Sequence, residues 1–331
     1  MNDNIERDDN EIAQLLRAAG PRPRPSPDAT AAARAAVEAE WRSVVAGRSR
    51  QRRYSAWAAV AATVGTLAMG WWLVSSEPVP QEGLFATVET HTGTVERLAA
   101  GSRQWTPLAA GAGVSTGDRL RTGTTGRVAF AIDGGPALRL DHDTLAIVAA
   151  ATRLELSHGA IYVDSRESAS ELVIDTRIGA VTHVGTRYQA RVDDIGLTVA
   201  VRDGEVRIAR DAGTEQARGG EQLFLSAAGE SARTGIAGHA AEWAWADSVA
   251  PAPVIDGLSL HEFVGWAAHE TGRELRFATP EAEQAARETV LHGSVAGLSP
   301  AQALAAMMRT TTLQHEVNGG EVVLRMAPAP R

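Results

Sequence analysis

The hydrophobic positions of this chain change their spacing twice. Residues 56–74, AWAAVAATVGTLAMGWWLV, form an apolar run without a single charge. From about residue 85 to 225 apolar positions alternate with small or polar ones, as in Val128, Phe130 and Ile132, in Leu138 and Leu140, and in Leu197, Val199 and Val201. A period of two puts such side chains on one face of a strand. Beyond residue 254 the spacing lengthens to three and four in Leu260, Phe263, Val264 and Ala267, the stripe of an amphipathic helix.

The apolar run is long enough to cross a bilayer. Nineteen helical residues cover about 28 Å, against roughly 30 Å of hydrocarbon. Trp57 stands at one end and Trp71 and Trp72 at the other, where indole rings favour the interfaces. Arg48, Arg50, Arg52 and Arg53 precede the run, whereas Glu77 and Glu82 follow it and no arginine recurs until Arg97. The positive-inside rule then makes residues 1–55 cytoplasmic and the rest external. A buried core helix would not carry tryptophan at both ends and four arginines against one of them. A cleaved leader of some 55 residues would be far longer than ordinary signal peptides. Residues 1–55 hold ten arginines against eight acids, and the remainder 22 against 32, so the acidity lies beyond the membrane.

Within 1–55 a helix is predicted over 4–19, followed by a stiff stretch with prolines at 21, 23, 25 and 27. Asp28 can cap a second helix carrying Val37, Trp41, Val44 and Val45. So few large apolar side chains cannot offset the entropy of ordering two helices. Either the segment is a disordered tail, or it folds against a partner with Trp41 as the anchor.

Between 85 and 225 turn signals recur at Asp133-Gly134-Gly135, His158-Gly159, Asp194-Ile195-Gly196 and Asp203-Gly204. They predict ten or so short strands in an all-β antiparallel sandwich. Residues 226–253, rich in Ala, Ser and Gly, suggest a linker, although they include Trp243 and Trp245. Residues 254–327 read as a small α+β domain. Ser259 with Glu262 forms a capping box, Gly272 stops that helix, and Ser299, Pro300 and Gln302 start another. Strands are predicted at 274–278, 289–292, 313–317 and 321–326, the last two joined by Asn318-Gly319-Gly320.

Composition narrows the chemistry. There is no cysteine and no lysine, which removes disulfides, thiolate nucleophiles, Schiff bases and the phosphate-binding P-loop. A net charge of −8 argues against a nucleic-acid surface. His261 and His269 are eight residues apart, about 12 Å along a helix, too far to share one ion, and read as a solvated face. His158, His183 and His292 are scattered singly. No nucleophile elbow or HExxH motif occurs, so neither an enzyme of separate substrates nor a cofactor or metal is expected.

A sequence of fragments then points to a family. Gly117-Asp118-Arg119-Leu120-Arg121-Thr122-Gly123 with Gly126-Arg127-Val128 comes first, then Leu156-Ser157-His158-Gly159-Ala160-Ile161-Tyr162-Val163. Ile174-Asp175-Thr176, Gly179-Ala180-Val181, Val184-Gly185-Thr186-Arg187-Tyr188 and Val201-Arg202-Asp203-Gly204-Glu205-Val206 follow. In this order over roughly 120 residues they resemble FecR-type anti-sigma regulators. The tail, with Leu291-His292-Gly293-Ser294-Val295-Ala296-Gly297-Leu298-Ser299-Pro300, resembles the short N-terminal domain of secretins and TonB-dependent receptors. The resemblance implies a single-pass inner-membrane protein with a periplasmic C-terminal region. It implies two partners: an extracytoplasmic-function sigma factor inside, and the signalling domain of an outer-membrane TonB-dependent receptor, often an iron importer, outside. The alternative is a structural envelope protein that binds glycan or docks a secretin.

The same resemblance marks Gly185-Thr186, since some FecR-type proteins split at such a pair. The Thr186 hydroxyl would attack the Gly185 carbonyl carbon, the amide would become an ester, and water would hydrolyse it. His183 is near in sequence, but in an extended strand it shares a face with residue 185 and not with 186. The competing reading, which strand geometry favours, is a local bend with Gly185 supplying the backbone conformation and Thr186 packing.

Overall fold

A computed structural model of the chain describes residues 83–327 apart from Glu167 and Ala169. The expectations for 1–55 and for the run 56–74, including Trp41, the four arginines and Trp57, Trp71 and Trp72, lie outside the described residues. Among the described residues no helix is long and apolar enough to cross a membrane.

The first part is built of strands. They are β1 (Leu84–Thr92), β2 (Val95–Leu98), β3 (Thr106–Pro107), β4 (Gly113–Ser115), β5 (Arg119–Thr122), β6 (Arg127–Ala131), β7 (Ala137–Leu140) and β8 (Leu145–Ala150). Then come β9 (Arg153–Asp164), β10 (Val173–Asp175), β11 (Ala180–Val192), β12 (Gly196–Arg210), β13 (Gly213–Arg218), β14 (Glu221–Ser226) and β15 (Ser231–Gly235). All fifteen belong to one hydrogen-bonded network whose main path runs β15-β14-β12-β11-β10-β9-β7-β6-β1-β4. The β9–β10 pair is parallel and the others antiparallel. The expected sandwich of short strands is thus realised as one continuous sheet around one core. Phe85 of β1 and Val114 of β4, near one end of the path, share that core with Leu223 and Leu225 of β14, near the other.

Continuity comes from the long strands β9, β11 and β12. Two of the dipeptides expected as turns, His158-Gly159 and Asp203-Gly204, lie inside β9 and β12. At Gly159 the strand β9 leaves β8 and takes up β7 and β11. A glycine therefore marks a change of partner within a strand as readily as a chain reversal.

The segment 226–253 is not a free connector. It forms β15, a 3-10 turn at Ala241–Trp243 and the short helix α1 (Ala244–Asp247). Trp243 is fully buried, edge-on to Tyr162 at 6.2 Å between ring centres, and with Trp245 and Ala246 it covers Ala160 and Ala200. Burying two indoles overrides the linker-like composition around them.

The last part is α+β: α2 (Leu260–Glu270), β16 (Glu274–Phe277), α3 (Pro280–Glu288), α4 (Pro300–Met308), β17 (Leu313–Asn318) and β18 (Glu321–Met326). Its three-stranded sheet has the order β16-β18-β17, with β16 parallel to β18. Both expected capping boxes form, at Ser259/Glu262 and Ser299/Gln302. The stretch 289–292 is no strand and contributes a single bridge, Val290 to Ser259. Instead the unexpected helix α3 precedes it, capped by Thr279; its buried residues are only Ala282 and Ala286, too small to give a readable apolar stripe.

Candidate functional site

Strand alternation generates the site. In β7, β9, β11 and β12 the residues Leu138, Leu140, Ile161, Val163, Tyr188, Ala190, Val199 and Val201 face the β core. The intervening positions fall on the opposite face, and they are Arg139, Tyr162, Asp164, Arg187, Gln189 and Arg202. That face is not left to water. The Trp243–Asp247 segment and the C-terminal end of α2 cover it, and Arg139 retains only 2% of its exposure.

Three arginines converge on the end of α2. Arg139 donates through Nη2 to Glu270 Oε1 at 3.0 Å and through Nη1 to Ala246 O at 3.0 Å. Arg187 donates to the carbonyl of His269, and its Nε reaches Asp203 Oδ2 at 2.6 Å. Arg202 donates to the Glu270 carbonyl at 2.9 Å, to Gly238 O at 2.7 Å and to Asp247 Oδ1 at 3.2 Å. The last carbonyls of a helix lack partners within it and carry its negative pole, so guanidinium groups satisfy both needs. Arg139 and Arg202 also lie over the Tyr162 ring at 5.1 and 5.8 Å, and Arg202 over Trp243 at 4.7 Å. Trp245 Nε1 donates to Gln189 Oε1 at 2.9 Å.

The charges perturb one another. Burial works to raise the Asp164 carboxyl, but the hydrogen bond and charge of His269 hold it below the usual carboxylate range. Burial pushes Asp247 up, with Arg202 opposing. Tyr162 is pushed up to about 12, chiefly by burial. Beside this cluster a cleft of about 750 Å3 is lined by Gly134, Gly135, Asp164, Trp266, His269 and Glu270 among others. Among the described residues no group of three His, Asp or Glu is placed to hold a metal ion.

His269 departs from expectation. It is not on a solvated face but bonds Asp164 Oδ2 through Nε2 at 2.6 Å, because the end of α2 is docked on the sheet. His261 stacks on Phe277 at 5.3 Å, and His292 pairs with Asp256 at 3.1 Å on the surface. His183 is buried against Tyr188, its Nε2 accepts from the Leu172 amide at 3.2 Å, and its Nδ1 has no hydrogen-bond partner. Burial also lowers its pKa. One ring nitrogen of His183 is thereby engaged, by the Leu172 amide.

Gly185 and Thr186 form an irregularity in the β11–β12 ladder, where pairing skips from Val184 to Arg187. Gly185 has φ +56°, the left-handed region that glycine enters without strain. Thr186 is fully buried. Its hydroxyl donates to Glu205 O at 2.8 Å and accepts from Glu205 N at 3.2 Å. Ser165 accepts from the Thr186 amide at 2.9 Å and donates to its carbonyl at 3.0 Å. Across the ladder, a β-carbon on Gly204 would sit 2.8 Å from both Gly185 O and Thr186 Oγ1, so only glycine fits there. The motif residue Asp118 likewise serves local structure, accepting from the Ala100 and Ser115 amides at 3.0 and 2.9 Å.

Residues 118–207 match the FecR protein family. No curated protein sequence matches the chain. Two crystal structures of a candidate anti-sigma factor from Parabacteroides distasonis, at 1.65 and 2.50 Å resolution, are similar over 63% of this chain and 99% of theirs, at 14% identity and a TM-score of 0.35. A likeness that distant carries no argument. The family match falls on β5 to β12, the strands that form the arginine face, and the motif arginines Arg187 and Arg202 are two of the three that hold α2. Within the β part of this chain, the stretch 118–207 is thus the one that is similar to the FecR family.

Proposed function

We propose that the chain is a membrane-spanning anti-sigma regulator, relaying a periplasmic signal from an outer-membrane TonB-dependent receptor to an extracytoplasmic-function sigma factor. The observation that supports the reading is the FecR family match at 118–207. The run 56–74 serves as the anchor, residues 1–55 hold the sigma factor through Trp41, and the α+β domain receives the receptor. Strands β16 and β17 are the outer strands of its sheet, and an outer strand can accept a further strand through main-chain bonds.

Capture tests the reading. Residues 1–55 as bait should retain a sigma factor from a lysate of the source cells, and Trp41→Ala should weaken its binding by about 2 kcal/mol, the scale of a buried aromatic anchor. Bait that retains no sigma factor favours a structural envelope protein, whose deletion leaves transcription unchanged.

A further inference from the structure

We propose that the contact between the end of α2 and the arginine triad is a releasable latch, from which the α+β domain detaches and redocks as a folded unit. The two domains keep separate hydrophobic cores. Phe263, Leu304, Val322 and Leu324 belong to one, and no residue of that cluster occurs in the β core. The small apolar layer between them consists of Ala160, Tyr162, Ala200, Trp243, Trp245 and Ala246, all from the sheet or the strap at 241–247. Detachment therefore opens neither main core.

Charge-assisted hydrogen bonds join the domains, beside a close backbone approach of Gly272 to Gly238. Arg139 holds Glu270, Arg187 and Arg202 hold the carbonyls of His269 and Glu270, and Asp164 holds His269. Water can replace such bonds at small net change in free energy, which it cannot do for buried apolar contact. Breaking a buried ion pair is normally severe because it strands a charge. Here every arginine has a second partner that does not leave with α2: Ala246 O for Arg139, Asp203 for Arg187, Gly238 O and Asp247 for Arg202. Each arginine thus keeps at least one partner when α2 leaves, Arg139 only a backbone carbonyl. Residues 248–257, which link α1 to α2, form no helix or strand and contain Pro251 and Pro253, with Val254 86% exposed. They supply the hinge.

The absence of cysteine allows a direct test. Cysteines at two exposed positions, Asp133→Cys in the β domain and Glu288→Cys in the α+β domain, carry spin labels in the full-length chain purified in detergent. The parent should give one narrow distance distribution. Glu270→Ala should add a broad, longer population and reduce the docked fraction about tenfold, with the milder Asp164→Asn lowering it by a smaller factor. Circular dichroism should show both domains still folded. A single narrow distribution in Glu270→Ala overturns the latch. So does joint unfolding of both domains in Glu270→Ala and Asp164→Asn, which would make them one cooperative unit.

Discussion

At Gly185-Thr186 two residues hold a ladder irregularity together from both sides. Thr186 bonds Glu205 in both directions through its hydroxyl, and Ser165 clamps its amide and carbonyl. The missing β-carbon of Gly204 leaves the space in which Gly185 O and Thr186 Oγ1 face β12. Nearby, His183 Nε2 accepts from the Leu172 amide. Thr186→Ala leaves Glu205 N–H and C=O without this partner and should destabilise the β domain by about 1–3 kcal/mol, whereas Thr186→Ser should recover most of it. Thermal unfolding measures the difference, and denaturing electrophoresis should show one intact band for all three proteins. Two fragments from the parent and from Thr186→Ser, absent from Thr186→Ala, would instead establish the acyl shift to the threonine oxygen.

Among elements, the turn after β7 shows how charge fixes strand order. Asp141 is buried and receives Arg127 from the start of β6 at 2.8 Å and Arg191 from β11 at 2.7 Å. Burial alone would raise its pKa, but bonds from Arg191, the His142 amide and Arg127 lower it. A lowered carboxyl stabilises the fold above its unfolded value of about 4, and the contribution is lost as the pH falls through the folded value. Asp141→Asn should thus lower stability by about 2–3 kcal/mol at pH 7, with the gap in melting temperature closing on acidification below about pH 4. A gap unchanged from pH 7 to 3 would show that the bonds act through geometry and not through charge. Alternation made the strands legible in the sequence, and the capping boxes at Ser259 and Ser299 fixed two helix starts. Helix α3 was illegible because alanine alone lines its buried face. The arginine face was half legible. Arg187 and Arg202 stand in the family fragments, but a strand pattern cannot tell an arginine bound for solvent from one bound for a helix end contributed from 68 to 82 residues away. A sharper signal was present in Leu138-Arg139-Leu140 and Thr186-Arg187-Tyr188, single charges enclosed by core positions.

The whole molecule divides its charge as it divides its domains. Arginine is its only strong base, and every arginine remains charged at any pH a cell reaches, so the sign of each region is fixed. In the β part Arg127, Arg187, Arg202 and Arg139 are turned on Asp141, Asp203, Asp247 and Glu270. Four of the ten before residue 56, Arg48, Arg50, Arg52 and Arg53, stand in a cluster with no acid among them. A cluster of that kind resists transfer across a membrane, and the acidic stretch after residue 74 does not oppose it. Reporter fusions follow directly. Phosphatase joined after residue 90 should be active and after residue 50 inactive, with a cytoplasmic fluorescent reporter giving the opposite pattern. Changing Arg48, Arg50, Arg52 and Arg53 together to glutamine should weaken that bias and produce a mixed population. Active phosphatase at residue 50 of the unaltered chain would place residues 1–55 outside, and it would remove the cytoplasmic segment through which a sigma factor could be held.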